Sequence, residues 1–579
     1  MLKKEIRFIG PLGKVTGSCS WMRDIDRGWS FLIDCGMQQG ERTAEVWNSC
    51  EDWPFEPSDL KFIVLTHAHT DHCGLIPELY KRGFEGTVYC TKETRDIATL
   101  LLRDAASFPD TAYEEQDVEA IKWHAPGRDG KTRFGNYHPV DTDLFIQFFR
   151  SGHILGGTSV KVLWGPKGSG QRSIVFSGDV GPGSEKNEVL PFLRFPMHPT
   201  KGTFSVLEST YGNVVRDDAD KDPTTRRHRL KALLDEILES NGTLAIPAFA
   251  VGRTQDVLFD LHYVVASDPD RYQSIQFLLD GPSAIKMNQI TAEALKEVQV
   301  ISQSGKVRPL WLGKQVFSDL GLQKNNPSHL QCALDICDST FGMMHDSKGL
   351  RVSDGNSTAK QWRGLISVVK NRKVEVENVG SGPHVVVMGS GTGDGGPAAT
   401  WLPKVLLSQK NIVAMSGYCS SGTIGGKLLE LQNVKLEDRA FLSGELIWQK
   451  KEHQPQARLE ARDIRAKIAR LSGYSGHADQ ADLLNWLFEH HKGHTWQMIG
   501  RTVFLQHGED YARDSLGNAI EEKARDHDLS AEVIKPKDPS KWFDLELDEG
   551  FDKDNGDNRV AELEEKIRLF QEEIDRIKS

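Results

Sequence analysis

"VLTHAHTDHCG", Val64 to Gly74, crowds three histidines and an aspartate into six positions directly behind the apolar run "KFIVLT". An apolar run that ends in polar residues predicts a buried strand feeding a functional loop. His67 and His69 then lie side by side, with Asp71 and His72 one short turn further on. Imidazole suits zinc, and a carboxylate beside it allows a second ion or a bridging water to be held. HxH alone is weak evidence, but four ligand-type residues at this spacing predict half of a metal site.

Two further donors stand at the ends of other predicted strands. "FRSGHILGG" places His153 after the apolar run "LFIQFF", and its glycines allow close backbone approach. "IVFSGDVG" places Asp179 at the tip of another apolar strand. Each residue alone would be unremarkable, but with the opening motif they complete the ligand set of a two-metal hydrolase.

Composition places the chain among globular intracellular proteins. Its 579 residues are 38% hydrophobic and 26% charged, which suggests two to four ordinary domains. The net charge of -11 creates no global field that attracts nucleic acid, so such a site must be local or carry its own cations. The eight cysteines form no CxxC pair, which is typical of reduced thiols. Without a signal-peptide pattern or a membrane-length apolar run, we expect a cytoplasmic protein that contacts no membrane.

The pattern of predicted strands and helices changes near residues 210 and 430. The first 200 residues alternate short apolar strands with turn signals, around one helix in "TKETRDIATLLLRDAAS". "TTRRHRLKALLDEILESNG", "TLAIPAF" and "GRTQDVLFDLHYVV" then follow as helix, strand and helix, which predicts a parallel α/β layer. Residues 300–380 are polar and less regular, and we interpret them as an insertion or a lid. After about 430 strands return, with a helix expected in "QADLLNWLFEHH".

The last 34 residues, 546–579, predict an acidic linker and a terminal helix. "LDEGFDKDNGDN" is the linker, and behind it apolar residues step by three and four positions, as in a coiled-coil seam. These residues are Val560, Leu563, Ile567, Phe570, Ile574 and Ile577. The seam fits either a homodimer or partner-protein contact, or a helix packed on its own domain.

These motifs together resemble the metallo-β-lactamase superfamily and, within it, the β-CASP nucleases. The superfamily resemblance is carried by HxHxDH, "SGHILGG", "FSGDVG" and the Asp34 of "FLIDCG". The β-CASP resemblance is carried by "LESTYG" with Glu208, "IPAFAVGRTQDVL", "NIVAMSGYCSSGTIGG", "LSGYSGHAD" with His477, and "FLQHGED" with His507. It covers roughly Phe8 to Asp510 without the stretch 300–380, and is strongest toward short prokaryotic RNA-processing members.

The resemblance implies an α/β fold in which a metallo-β-lactamase αββα sandwich is split by an inserted α/β β-CASP domain. The sandwich would take residues 1–208 and 431–545, and the β-CASP domain residues 209–430, with 300–380 as an atypical insertion. The C-terminal helix would lie outside both.

The same resemblance implies a zinc-dependent ribonuclease with two Zn²⁺ per chain. One ion would be held by His67, His69 and His153, the other by Asp71, His72 and His507, with Asp179 between them and Asp34 orienting the first histidines. Asp71, Glu208 and His477 would be catalytic: a hydroxide shared by the ions would attack phosphorus, and His477, oriented by Glu208, would protonate the leaving oxygen. Cleavage would leave a 5′-phosphate and a 3′-hydroxyl, endonucleolytically and also 5′ to 3′. The histidine at position 507 favours RNA over DNA.

Substrate contacts are less specified by the sequence. Arg253 of "AVGRTQ" is a candidate phosphate contact for single-stranded RNA, and a polar loop at a predicted strand-to-helix junction is a candidate phosphate cradle. The cradle residues are Ser416, Gly417, Ser420, Ser421 and Gly422. "RRHRLK", Arg226 to Lys231, fits either a phosphate contact or a solvated helix face. "GTGDGG" formally satisfies a dinucleotide fingerprint, but no ribose-binding acidic residue follows it, and a β-CASP loop explains the glycines equally well.

Two other functions remain open at this point. A hydrolase of another substrate, either a DNA phosphodiester or a small ester or thioester, would use the same fold. Against the ester reading stand Glu208, His477 and the inserted domain. A non-catalytic RNA-processing scaffold would lose metal ligands, and none is lost here.

Overall fold

The fold is described from a computed structural model of the chain. It describes residues 3–39, 44–108, 111–127, 133–165, 171–300, 307–323, 325–341, 365–369, 372–379, 381–417, 419–420, 422–449, 455–491 and 495–545. The predicted linker and heptad helix at 546–579 lie outside these residues and stay a prediction.

The described chain is built of short strands and helices. The strands are β1 (Lys4–Phe8), β2 (Ser20–Asp24), β3 (Trp29–Ile33), β4 (Leu60–Val64), β5 (Thr87–Tyr89), β6 (Trp123–His124), β7 (His138–Asp141), β8 (Leu144–Arg150), β9 (Thr158–Trp164), β10 (Arg172–Phe176), β11 (Phe204–Glu208), β12 (Thr243–Pro247), β13 (Gln276–Asp280), β14 (Val298–Val300), β15 (Val307–Pro309), β16 (Ile366–Val368), β17 (His384–Met388), β18 (Ile412–Met415), β19 (Glu445–Gln449), β20 (Pro455–Glu460), β21 (Lys467–Arg470), β22 (Phe488–His491), β23 (Thr495–Met498), β24 (Thr502–Gln506), β25 (Glu532–Ile534) and β26 (Phe543–Asp544). The α-helices are Ala44–Asn48, Thr70–Cys73, Ile76–Lys81, Lys92–Ala106, Glu115–Glu119, Asp218–Lys221, Pro223–Ser240, Arg253–Ser267, Pro269–Tyr272, Pro282–Leu295, Lys314–Asp319, Pro327–Thr340, Arg372–Glu377, Ala398–Val405, Ile424–Glu430, Leu436–Arg439, Gln480–Leu487 and Asp510–Asp526. Two 3₁₀ turns span Pro57–Asp59 and Ala461–Asp463.

Two seven-stranded sheets pack face to face and form a sandwich. The first has the order β26-β1-β2-β3-β4-β5-β6, and the second β25-β24-β11-β10-β9-β8-β7. Alternation along β4 shows how the layers are built: Phe62 and Val64 join the core between the sheets, whereas Ile63 joins the core under the helices. Helices Ile76–Lys81 and Lys92–Ala106 cover the outer face of the first sheet. The helices that include Leu483 and Leu516 cover that of the second, so the αββα prediction is confirmed.

A third sheet forms the inserted module. Its six strands, in the order β16-β13-β17-β12-β18-β21, are all parallel. Both faces are covered by helices, which explains why β12, β17 and β18 are apolar throughout. The predicted helix–strand–helix unit is confirmed as Pro223–Ser240, β12 and Arg253–Ser267. Asn241 ends the first of these helices in the left-handed conformation, with φ 53°.

The chain leaves this module later than the predicted residue 430. β21, at Lys467–Arg470, is an edge strand of the third sheet, because it pairs with β18 over four residues. The hairpin β19–β20 packs through Leu446 and Trp448 into the same core. The return to the sandwich therefore follows Arg470. The helix expected in "QADLLNWLFEHH" ends at Leu487, where β22 begins.

The described parts of the stretch 300–380 are not a lid. Helix Pro327–Thr340 buries Ala333, Ile336 and Cys337 in a core that also contains residues of the Lys92–Ala106 helix. β16 is the other edge of the third sheet. These segments are therefore integral to the fold, while residues 342–364 lie outside the described part.

None of the eight cysteines, which all lie in the described ranges, forms a disulfide. None of the helices in the described ranges combines the length and apolar character that crossing a bilayer requires.

Candidate metal centre

Four of the predicted site residues follow strands that end at the same edge of the second sheet. β8 and β10 each pair antiparallel with β9, so they run in the same direction. β11 and β24 are parallel to β10 and to each other. Strands that run in one direction bring their carboxyl ends to one edge, and these ends carry His153, Asp179, Glu208 and His507. The opening motif follows β4 of the facing sheet and meets them there.

Asp179 lies at the centre of the cluster with one oxygen toward each group of ligand residues. Its Oδ2 is 3.5 Å from His67 Nε2 and 3.6 Å from His153 Nε2. Its Oδ1 is 3.3 Å from His72 Nε2 and 3.5 Å from His507 Nε2. A carboxylate so placed is suited to bridge two cations.

The remaining predicted ligands complete the two groups. His69 Nδ1 is 3.2 Å from His67 Nε2 and 3.1 Å from His153 Nε2. Asp71 Oδ2 is 3.7 Å from His507 Nε2. All seven predicted ligand residues therefore fall into two neighbouring groups whose ligand atoms converge: His67, His69, His153 and Asp179, and Asp71, His72 and His507.

These distances are compatible with ligand atoms arranged around metal ions. Two ligands of a tetrahedral zinc at about 2.0–2.1 Å are separated by about 3.3–3.4 Å, close to the spacings here. His72 Nε2, His507 Nε2 and Asp179 Oδ1 are buried and have no hydrogen-bond partner. Buried polar atoms without a partner are costly, so they indicate a group that satisfies them.

Polar contacts outside the cluster fix the orientation of the imidazoles. His72 Nδ1 donates to Asp34 Oδ2 at 2.7 Å, and His153 Nδ1 donates to the carbonyl of Gly476 at 2.7 Å. The Asp34 carboxylate also accepts the N–H and the hydroxyl of Thr66, at 2.7 and 2.8 Å. In both rings Nδ1 carries the proton, which leaves Nε2 as the nitrogen that binds a metal.

The backbone of the site is held in unusual conformations. Asp34 and His507 both have positive φ, at 61° and 49°, which non-glycine residues adopt rarely. Gly36 allows the loop of Asp34 to touch the opening motif, since a methyl group there would lie 1.7 Å from the carbonyl oxygen of Asp71. The ligand loops are therefore packed backbone to backbone.

Burial sets the protonation of the cluster. It lowers the pKa of His67 and His153 well below the usual value and that of His69 to about 4, so these rings are neutral and able to bind a metal at pH 7. Burial also opposes the charge on His72, but Asp179 and Asp34 outweigh it and raise the pKa of that ring. Burial would raise the pKa of Asp179, yet His507 and His72 hold it well below its usual range.

Glu208 and His477 form a pair beside the cluster. His477 Nδ1 is 3.4 Å from Glu208 Oε1 and 3.9 Å from Asp179 Oδ2. Glu208 is fixed because it also accepts the N–H groups of Val180 and Thr210, at 2.7 and 3.2 Å. Although burial lowers it, the pKa of His477 is raised overall, chiefly by Glu208. The pair presents a positioned, protonatable ring next to the ligand groups.

Arg253 presents an unsatisfied guanidinium at the start of the helix Arg253–Ser267. Its Nε and Nη1 are buried without a hydrogen-bond partner. Burial lowers the pKa of this arginine, and the nearby Asp256 opposes that effect. Arg253, the predicted phosphate contact, therefore has N–H groups that are available to donate to a phosphate oxygen.

The predicted phosphate cradle is not built as expected. The Ser416 side chain is buried, at 4% exposure, and its hydroxyl donates to the carbonyl of Pro247. The Ile424 N–H at the helix start is taken by the Asp394 carboxylate, and Thr423 caps Gly426. A carboxylate at that position would repel a phosphate. Ser420 and Gly422 are exposed on this loop, and Ser421 lies outside the described residues.

The basic stretch Arg226 to Lys231 is divided between a buried part and a partly solvated helix face. The guanidinium groups of Arg226 and Arg227 are buried and share the Asp260 carboxylate, at 2.6 and 2.8 Å. Arg229 and Lys231 pair with nearby aspartates on the same surface. Arg226 and Arg227 are therefore committed to internal ion pairs and are not presented to a phosphate, whereas Arg229 and Lys231 form half-exposed pairs.

Two residues that support His477, Arg216 and Ser475, were not predicted as site residues from the sequence. Ser475 Oγ accepts from the backbone N–H of His477 at 3.3 Å and from Arg216 Nη2 at 2.9 Å. The Arg216 guanidinium also lies 4.8 Å from the Tyr211 ring, which packs on His477. Arg216 stands in the polar loop "NVVRDDAD", which carries no signal for this position.

Comparison with known proteins identifies three families along the chain. The matches are to the metallo-beta-lactamase superfamily over residues 12–226, the Beta-Casp domain over 254–428, and the Zn-dependent metallo-hydrolase RNA specificity domain over 462–531.

The relatives that match most of this chain are distant in sequence. Transcription termination factor FttA of Lokiarchaeum sp. (strain GC14_75) is 24% identical over 90% of this chain and 70% of the relative. Ribonuclease TTHA0252 of Thermus thermophilus is 26% identical over 88% of this chain and 94% of the relative. Transcription termination factor FttA of Methanocaldococcus jannaschii is 23% identical over 83% of this chain, which spans 64% of the relative's length.

An αββα sandwich that gathers histidines and aspartates from both sheets at one edge defines a metal-dependent hydrolase of the metallo-β-lactamase class. The parallel-sheet module between its halves narrows this class, because it coincides with the matched Beta-Casp domain. The chain belongs to the β-CASP family.

Proposed function

We propose that this chain is a zinc-dependent ribonuclease that hydrolyses phosphodiester bonds of single-stranded RNA. The proposal rests on one observation: Asp179 lies between two groups of ligand residues, and the Glu208–His477 pair lies beside it. The match to an RNA specificity domain and the ribonuclease among the relatives support RNA as the substrate. Cleavage is endonucleolytic, with 5′-to-3′ exonuclease activity as a second mode.

Two zinc ions fit the ligand residues. His67, His69 and His153 with Asp179 Oδ2 would hold one ion, and Asp71, His72 and His507 with Asp179 Oδ1 the other. Imidazole with carboxylate is the donor set that zinc prefers. Bound zinc supplies a nucleophile at neutral pH and neutralises charge on the phosphoryl oxygens.

His477 is the proposed general acid, for a geometric reason. Its Nδ1 is engaged by Glu208, so Nε2 is the nitrogen left to donate a proton to the departing 3′-oxygen. Glu208, held by two backbone N–H groups, keeps the ring oriented and favours its protonated form. Proton donation to the 3′-oxygen leaves a 3′-hydroxyl on one product and a 5′-phosphate on the other.

Arg253 is the proposed phosphate contact. Its buried, unpartnered Nε and Nη1 are the kind of donors that a phosphodiester oxygen satisfies, and an arginine fork pairs with two such oxygens at once. The loop that precedes it touches the His153 loop, since a methyl group on Gly252 would lie 3.5 Å from Ile154 Cγ2. The backbone of the substrate would thus be held next to the ligand residues.

The test compares wild type with His477→Ala on end-labelled single-stranded RNA and DNA, with zinc measured in each preparation. His228→Ala is the matched control, because His228 is exposed on the helix Pro223–Ser240. We expect RNA cleavage to fall by about 10²- to 10⁴-fold in His477→Ala while zinc is retained, and to be unchanged in the control. Undiminished cleavage in His477→Ala would contradict the general-acid role. A zinc-loaded wild type that cuts no RNA would contradict the ribonuclease proposal itself.

A further inference from the structure

Phe249 is an exposed aromatic ring in a position where the fold has little reason to expose one. It follows β12, the strand between β17 and β18 in the third sheet, and its side chain is 43% exposed. The loops that follow β17 and β18 lie on either side of it, because all these strands are parallel. The ring therefore stands in the middle of the carboxyl edge of this sheet.

Glycines on both neighbouring loops leave the ring uncovered. A methyl group on Gly391 would lie 2.6 Å from the Phe249 ring, and one on Gly417 would lie 2.9 Å from it. The ring thus packs directly on backbone on these sides, and any larger residue would displace it. One part of the ring is supported by main chain and the rest faces solvent.

The loop that carries Phe249 is rigid and adjoins the metal centre. The Phe249 carbonyl accepts both the N–H and the hydroxyl of Thr254, at 3.1 and 2.8 Å. Gln255 Nε2 donates to the carbonyl of Ala250 at 3.1 Å. Three residues after Phe249, Gly252 meets Ile154, the neighbour of the ligand residue His153. A ring held this way loses little conformational entropy when a ligand packs on it.

We propose that Phe249 is a stacking platform for one unpaired base of the substrate, next to the phosphate that is cleaved. A flat, supported, solvent-facing ring is the feature that single-strand-binding proteins use, because every base has a π-face. Arg253, four residues on, holds the neighbouring backbone. The inference rests on the proposed ribonuclease function and deepens it: since a base paired in a duplex cannot stack on a protein ring, Phe249 selects single strands.

The direct test is binding of a fluorescent single-stranded RNA, measured by anisotropy in the His477→Ala background, in which cleavage is expected to be slow. Phe249→Leu removes the ring and keeps an apolar side chain, whereas Phe249→Tyr keeps the ring. Phe441→Leu is the matched control, because Phe441 is 88% exposed in the segment after helix Leu436–Arg439. We expect roughly tenfold weaker binding for Phe249→Leu and little change for the other two variants. Equal binding of Phe249→Leu and its parent would overturn the inference.

Two changes to the RNA make the result independent of folding. One abasic nucleotide, moved stepwise along the RNA, should weaken binding to the Phe249 parent at one position near the cleavage site and cause no further loss in Phe249→Leu. Annealing the RNA to its complement should make the two proteins bind alike. An abasic scan with no sensitive position would also overturn the inference. Failure of the parent to bind any RNA would instead contradict the proposed function.

Discussion

Replacing Asp34 with asparagine isolates one charge behind the metal centre. Asp34 has φ 61°, a conformation that asparagine tolerates as well as aspartate does, so the backbone need not change. Its Oδ1 accepts the Thr66 N–H at 2.7 Å, and asparagine Oδ1 can keep that bond. The Thr66 hydroxyl, 2.8 Å from Oδ2, can rotate and accept instead of donating. The only contact that cannot be kept is the one with His72.

The loss of the contact between Asp34 and His72 determines how far the zinc affinity falls. With an NH₂ group opposite it, His72 Nδ1 must accept, and the proton then moves to Nε2, the nitrogen that faces Asp179. To bind zinc, the ring must take its proton back to Nδ1 and leave a buried donor unpaired, at a cost of about 1–3 kcal/mol. That corresponds to roughly 5- to 150-fold weaker zinc binding, in line with the 10- to 100-fold typical of such outer contacts.

Zinc affinity is measured by chelator competition, with Asp143→Asn as the control. Asp143 has a similar φ of 53° and an exposed side chain, so the control makes the same chemical change in the same backbone conformation. We expect one of two zinc ions to be lost first in Asp34→Asn and both to be kept in the control. Wild-type stoichiometry and affinity in Asp34→Asn would refute the argument that Asp34 fixes the tautomer of His72.

Three further predictions concern stability. Removing zinc with a chelator should lower the thermal midpoint of unfolding, because buried ligand atoms lose their partners. At zinc 100-fold above Kd, the free energy of unfolding should fall by about 2.7 kcal/mol. An unchanged midpoint would count against bound zinc. Asp260→Asn should cost about 3–5 kcal/mol in urea denaturation, because it removes the carboxylate partner of the buried Arg226 and leaves Arg227 with Asp319 alone. Asp235→Asn breaks half-exposed pairs and should cost less than about 1 kcal/mol. Burial raises the pKa of Asp256 to about 7 from its usual 3.8. Between these two pH values the folded state holds a proton that the unfolded state releases, so this group's contribution to the free energy of unfolding is lost as the pH rises from 3.8 to about 7. Asp256→Asn should flatten the decline, and an unchanged slope would refute it.

The convergence of the ligand-type residues could be predicted from the sequence because most of them follow an apolar strand. Only a few residue types bind metals, and the end of a strand fixes the position of the side chain that follows it. His153 and Asp179 are single residues in short loops, yet the structure brings them within 3.6 Å of each other. Their position after β8 and β10 was readable without knowledge of the strand order. Resemblance added His507 and Glu208, whose local sequence alone says little.

The substrate-binding predictions failed where the partner of a residue is distant in sequence. Arg226 and Arg227 form a basic patch in the sequence, but their carboxylate partner, Asp260, lies on the next helix, 33 or 34 positions away. Asp394 blocks the predicted phosphate cradle from another loop, 30 positions before the helix start. Local patterns report charge and turn type, whereas the partner that neutralises a charge is set by tertiary packing.

The insertion explains how the two halves of the site are brought together. β11 and β24 are adjacent parallel strands although 298 positions separate Phe204 from its first partner, Thr502. Their pairing runs in register for five residues and sets Glu208 opposite Gln506. His507 therefore emerges beside Glu208 only when the module between them has folded with its ends close together. His153 depends on the same event, because its Nδ1 partner is the carbonyl of Gly476, on the segment that follows the last strand of the third sheet. The ligand groups are thus complete only in the fully folded chain, and this couples the carboxyl edge of the third sheet, where Phe249 stands, to the candidate metal centre.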